Sequence, residues 1–163
     1  RSRSFFPLPT RKGFTLIETV LVISLIGILA VIAAPRFANV LTFSTNTFFE
    51  ETLNSVRYGQ QLAVGMGCDI QVTISPTTVA LNARANCSTG NFTQAIRDPA
   101  LGASSYLKTA PSGVTISNTN FPIYFDPLGR SHDVASGNVS DASLTIATRT
   151  LQVVGETGFT YVP

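Results

Sequence analysis

Residues 131–133 set a hydroxyl, an imidazole and a carboxylate side by side, as Ser131, His132 and Asp133. Hydrolytic triads form by convergence in space, and neighbours along a strand or turn do not face one another in that way. No GxSxG elbow accompanies them. A solvated turn explains the three residues better than catalysis does, and the chain is read as a non-enzyme. Metal chemistry fares no better. His132 is the one histidine, and Cys68 and Cys87 are not a CxxC pair. Asp126, Asp133 and Asp141 do not follow a calcium-loop pattern, so neither a metal nor a cofactor is expected.

Glu18 is the ionisable residue that asks for a chemical reason. Residues 11–35 read RKGFTLIETVLVISLIGILAVIAAP, and the apolar run from Phe14 to Ala34 is 21 residues long. A carboxylate near the centre of a membrane helix costs roughly 2.5–3.5 kcal/mol, less near an end and less again with a cationic partner. A position at headgroup level would also tolerate it, but that leaves the preceding Gly13-Phe14 pair without a role.

The elements around these residues follow from composition. Hydrophobic content is 44% and charged content 12%, and the skew comes largely from the one apolar run. A helix of that length spans about 32 Å, enough for a bilayer core of about 30 Å. Arg1, Arg3, Arg11 and Lys12 precede the run. The positive-inside rule therefore keeps residues 1–13 cytoplasmic and exports the C-terminal part. A cleaved secretory signal is the competing reading, but its apolar core is normally only about 7–15 residues long.

From Phe14 onward seven basic residues stand against nine acidic ones. Arg84, Arg97, Lys108, Arg130 and Arg149 are dispersed, so nucleic-acid binding is not expected from charge. In an exported domain, Cys68 and Cys87 would form one disulfide, and two separate buried thiols are the alternative.

KGFTLIE, followed by an apolar helix and a terminal proline, resembles the N-terminus of type IV prepilins and pseudopilins. The resemblance implies cleavage by a prepilin peptidase between Gly13 and Phe14 and N-methylation of Phe14. It also implies pairing of Glu18 with the new Phe14 amine of a neighbouring subunit, and assembly with other pilin subunits through the N-terminal helix. A buried charge without its partner is costly, so such a pair would act as a register device.

FDPLGR (125–130) and the terminal VVGETGFTYV are similar to segments of one pilin subgroup. It holds the minor pseudopilins of type II secretion and related minor pilins. The paired cysteines and the ending most resemble a minor pilin of the mannose-sensitive haemagglutinin (MSHA) pilus. The resemblance implies an inner-membrane, single-pass protein with a periplasmic domain that later enters a pilus or pseudopilus. Alternatives are a type II secretion minor pseudopilin and a DNA-uptake minor pilin.

The expected fold class is α+β: a long N-terminal helix, half of it transmembrane, packed on an antiparallel sheet. The expected segments are a leader at 1–13, a membrane or filament-core helix at 14–35, its amphipathic continuation at 36–67 and a β domain at 68–163. Gly27 and Pro35 are the expected sites of bending or close packing in the first helix.

Phe37, Val40, Leu41, Phe48, Phe49, Leu53, Val56 and Ala63 fall at helical spacing and mark a core-facing stripe. After Cys68 the period becomes two. Strands are expected at 69–74, 78–83, 114–117, 122–125, 143–148 and 151–154, with a short last strand in FTYV, and 86–113 reads as loop.

Overall fold

The computed structural model describes residues 13–37, 40–100, 102 and 105–163; side chains are not described at 32–41 and 119. The leader residues 1–12 lie outside the described residues. Two helices come first, α1 (Leu16–Phe37) and α2 (Val40–Met66). Ten strands follow: β1 (Ile70–Ser75), β2 (Thr78–Ala83), β3 (Gln94–Ala95), β4 (Tyr106–Thr109) and β5 (Ile116–Thr119). The rest are β6 (Ile123–Phe125), β7 (Ser131–Asp133), β8 (Ala142–Ile146), β9 (Arg149–Val153) and β10 (Thr160–Tyr161). The chain divides into two compact units between Val40 and Leu41.

In the first unit, α1 carries both Gly27 and Pro35 within its span. Its described side chains end at Val31, whereas the apolar sequence continues to Ala34. Among the described residues, no helix is long and apolar enough to cross a membrane.

The second unit packs α2 against two antiparallel sheets. One is ordered β3-β2-β1-β6-β7, with β4 also pairing β2, and the other is ordered β10-β9-β8-β5. Phe48, Phe49, Leu53, Val56 and Ala63 of α2 are buried, as the helical stripe requires. Phe37, Val40 and Leu41 of that stripe lie outside the described side chains. Gly59 lets α2 approach the first sheet closely, since a methyl there would stand 3.1 Å from Val72 Cγ2. The helix ends as its sequence predicts. Gly67 takes φ +66°, its amide donates to the Ala63 carbonyl, and the left-handed residue turns the chain out of the helix.

β1 and β2 form a hairpin in continuous register from Ile70–Ala83 to Ser75–Thr78. Ile70, Val72 and Ile74 face the core while the residues between them face outward, the outcome of strict alternation. β8 and β9 repeat the pattern with Ala142, Leu144 and Ile146 opposite Leu151 and Val153.

Three expectations need correction. Residues 86–113 are not all loop, because they contain β3 and β4, both paired to β2. Ser131-His132-Asp133 is not a solvated turn. It is strand β7, paired with β6, and Ser131 and His132 are buried. The β structure also forms two sheets where the sequence suggested one.

Candidate assembly and processing site

The N-terminal site begins with three non-helical residues, Gly13, Phe14 and Thr15. Thr15 caps α1: its Oγ1 accepts the Glu18 amide at 3.3 Å, and its carbonyl accepts the same amide at 3.1 Å. Glu18 therefore sits at the third helical position of a TxxE capping pattern, where a negative charge also meets the positive end of the helix dipole.

The described hydroxyls of α1 bond to their own helix. Thr19 Oγ1 donates to the Leu16 carbonyl at 2.8 Å and Ser24 Oγ to the Val20 carbonyl at 2.8 Å. The Glu18 carboxylate, by contrast, makes no hydrogen bond or ion pair among the described residues. Around it the helix is a bare apolar rod, with Phe14, Leu16 and Ile17 at 79%, 81% and 70% exposure. A methyl on Gly27 would meet nothing within 4 Å among the described residues. An exposed apolar surface of this extent needs a lipid or protein partner.

In the second unit, the Cys68–Cys87 disulfide closes the open end of the β1–β2 hairpin. The Asp69 amide donates to the Cys87 carbonyl at 2.8 Å beside it. Arg84 Nε lies 2.8 Å from Asp69 Oδ2, close enough for an ion pair but not aligned for a hydrogen bond. Burial pushes the Asp69 carboxyl above its ordinary pKa, against the pull of Arg84. The Arg84 guanidinium spans the rings of Phe92 and Tyr124 at 4.4 and 5.0 Å.

FDPLGR is a turn organised by Asp126. Its Oδ1 accepts the amides of Leu128 and Arg130 at 2.9 Å, and Oδ2 accepts Arg130 Nε at 2.9 Å. Burial works against the charge, but the Arg130 amide, the Arg130 side chain and His132 outweigh it and hold the Asp126 carboxyl below its ordinary pKa.

His132 has no free ring nitrogen for catalysis. Nε2 lies 3.0 Å from Asp126 Oδ2, and Nδ1 lies 3.1 Å from the Gly137 carbonyl oxygen. Ser131 Oγ is buried without a hydrogen-bond partner among the described residues.

A second constellation escaped the sequence reading. Gln60 Nε2, on α2, donates to the Gly129 carbonyl at 3.0 Å and to the Thr157 carbonyl at 2.9 Å. One helix residue thus ties FDPLGR to GETGF, the two stretches that carried the finer resemblance. Arg57 Nη2 adds a bond to the Thr160 carbonyl at 3.0 Å. Gly158 stands where the segments converge, at φ +62°, and a methyl there would collide with the Gly129 carbonyl and the Gln60 amide.

Residues 8–34 match the family described as the prokaryotic N-terminal methylation motif. Among solved structures, the type IV minor pilin FimU of Pseudomonas aeruginosa superposes with a TM-score of 0.51 at 13% identity, covering 77% of this chain and 90% of that one. The minor pseudopilin EpsH of the Vibrio cholerae type 2 secretion system gives 0.47 at 12% identity, covering 75% and 94%. The likeness to FimU is one of fold.

Proposed function

We propose that this chain, which carries the N-terminal methylation motif ahead of a pilin-like α+β fold, is a minor pilin or minor pseudopilin. It is a structural subunit, cut between Gly13 and Phe14 by a prepilin peptidase and methylated on Phe14. Before assembly it is anchored in the inner membrane by the single apolar segment Phe14–Ala34, with its β domain in the periplasm. Within the filament that helix packs among those of other subunits, and Gly27 and Pro35 let it bend or pack closely.

The observation that carries the reading is Glu18. Among the described residues its carboxylate has no partner, while the neighbouring hydroxyls of Thr19 and Ser24 bond to their own helix. A positive group supplied by another subunit would remove that deficit. Cleavage after Gly13 creates such a group in each subunit, four residues ahead of Glu18. Burial among packed helices then makes the pair obligatory, because an isolated carboxylate there is costly.

Among the filament types, an MSHA-like type IV pilus is favoured by the terminal GETGF segment and the paired cysteines. Gln60 holds that segment against FDPLGR. A type II secretion pseudopilus is the second reading, and a DNA-uptake minor pilin is the third. Loss of surface pili on deletion separates the first from the second. A salt-dependent gel shift with the full chain tests the third, since phosphate-driven binding must weaken with salt.

The reading as a whole rests on processing. Intact mass and N-terminal sequence, from cells with and without the peptidase, should give a chain beginning at methylated Phe14 only when the enzyme is present. An uncut chain, or a cut near Ala34, would overturn it.

A further inference from the structure

The outer face of the second sheet carries a cleft that the assembly reading leaves without a role. β8, β9 and β10 lie side by side, and their register aligns Ser143 with Gln152 and Gln152 with Tyr161. These three side chains form one polar row across the sheet. Asn120 and Asp141 close one end, and the cleft so formed holds about 270 Å³. That is near the lower bound of small-molecule sites, roughly 300 Å³.

The lining defines a chemistry. It contains no lysine, arginine or histidine, so nothing in it would hold an anion. It offers one carboxylate, far short of the oxygen cage that a hard cation requires.

The hydrogen-bonding groups are nevertheless incompletely used. Tyr161 Oη donates to Gln152 Oε1 at 2.5 Å, which orients the Gln152 amide and leaves its Nε2 hydrogens without an acceptor among the described residues. Asp141 Oδ1 accepts the Gly155 amide at 2.6 Å, and Oδ2 has no donor among them. Asn120 Nδ2 donates to the Asp141 carbonyl at 2.9 Å, which leaves Oδ1 as an acceptor. The Ser143 hydroxyl is likewise unengaged among the described residues.

An apolar surface stands beside this donor and acceptor set. Tyr161 stacks on Phe159 with ring centroids 5.9 Å apart and planes 14° apart, and Phe159 is 61% exposed. Two parallel rings at the edge of a small hydrogen-bonding cleft with no basic side chain fit a ligand with one apolar face and a rim of hydroxyls. The geometry points to a saccharide-binding site, in which a hexose ring lies against Tyr161. Its hydroxyls bond to Gln152, Ser143, Asn120 and Asp141. The site belongs to the folded β domain and does not depend on filament assembly.

The test uses the full chain in a zwitterionic detergent, since sugar-headed detergents would compete. Saturation-transfer NMR and calorimetry against a panel of methyl hexosides should show at least one ligand with Kd in the low millimolar range, about −4 kcal/mol or slightly weaker. Gln152→Ala and Tyr161→Ala should each weaken that ligand by tenfold or more. Gln71→Ala, on the other sheet, should leave it unchanged. Circular dichroism identifies any variant that fails to fold. Because Tyr161→Ala removes packing at a sheet edge, Ser143→Ala supplies a second probe that keeps both rings. No binding by any hexoside up to about 100 mM, well above a millimolar Kd, would overturn the site. Binding that survives the Gln152 and Tyr161 changes would overturn it equally. Neither outcome depends on whether the leader is cut.

Discussion

The backbone amide of Glu18 donates to the hydroxyl of Thr15, so the residue that caps α1 and the carboxylate that has no counter-charge among the described residues are joined in one turn. Two roles meet there, helix initiation and the proposed charge recognition, and they respond to different substitutions. Thr15→Ala removes the cap and costs about 1 kcal/mol of helix stability, a loss that packing in a filament can absorb. Glu18→Gln keeps a hydrogen-bonding group at the third helical position and removes only the charge. Incorporation into sheared filaments, followed by immunoblot, should be near normal for Thr15→Ala and lost for Glu18→Gln. Normal incorporation of Glu18→Gln would sink the charge-pair argument.

The Gln60 clamp predicts a graded pair of stability losses. Gln60→Ala leaves the Gly129 and Thr157 carbonyls without their shared donor. The Thr157 bond is exposed and water can replace it, so about 1 kcal/mol should be lost, at the low end for an unmade hydrogen bond. Gly158→Ala forces a side chain into a left-handed residue and a backbone contact, and should cost at least about 2 kcal/mol. Urea unfolding of the full chain in detergent, with near-ultraviolet circular dichroism on the tyrosines, reads both. A Gly158→Ala midpoint equal to wild type would contradict the packing.

Acid sensitivity should depend on Asp126. Its carboxyl is held below its ordinary pKa in the folded state, so the unfolded chain binds the proton more readily. The contribution is present above the ordinary carboxylate range and disappears as pH falls through the lower folded value. Asp69 has the opposite sign. Burial raises its folded pKa, so the folded state takes up the proton first and stability falls with rising pH in that window. Asp126→Asn should therefore be less stable than wild type at pH 7, and the gap should narrow below about pH 4. A gap that stayed constant from pH 7 to pH 3 would show that the carboxylate charge is not the cause.

Cys68 and Cys87 enclose a 20-residue loop, for which the chain-entropy treatment gives about 3 kcal/mol of stabilisation. Reduction of the wild type and the Cys68→Ala/Cys87→Ala double variant should move the urea midpoint down by the same amount. A large loss in the variant with none on reduction would mean that packing of the half-cystines, not the cross-link, supplies the stability.

How much of this was legible in the sequence depended on how local the cause was. β2 (Thr78–Ala83) was read at its true bounds because Val79, Leu81 and Ala83 alternate and a turn precedes them. β7 was missed because its residues are Ser, His and Asp. What buries His132 is the Asp126 carboxylate and the Tyr124 ring, neither of which a periodicity reports. β4, YLKT, stands in a stretch rich in glycine, proline and serine, and its pairing with β2 outweighs that local signal.

The N-terminal site and the Gln60 constellation divide the same way. Gly13, Phe14 and Glu18 were visible as a motif, and the Thr15 cap could have been read from the TxxE pattern. Gln60 could not. It looked like one more polar residue on an amphipathic helix, and its partners lie 69 and 97 residues further on.

That separation has a consequence for the order of events as the chain is made. Three polar ties of α2 reach residues 129, 157 and 160, and the Arg57 tie spans 103 residues. None of these three can close until residue 129 or a later one has been made. Such long-range contacts form late and slowly. The apolar segment emerges first, while the β domain is still without its final closures. On the membrane-anchored reading proposed above, targeting and insertion thus have a threadable chain to act on, and folding of the domain follows the anchoring of its own N-terminus.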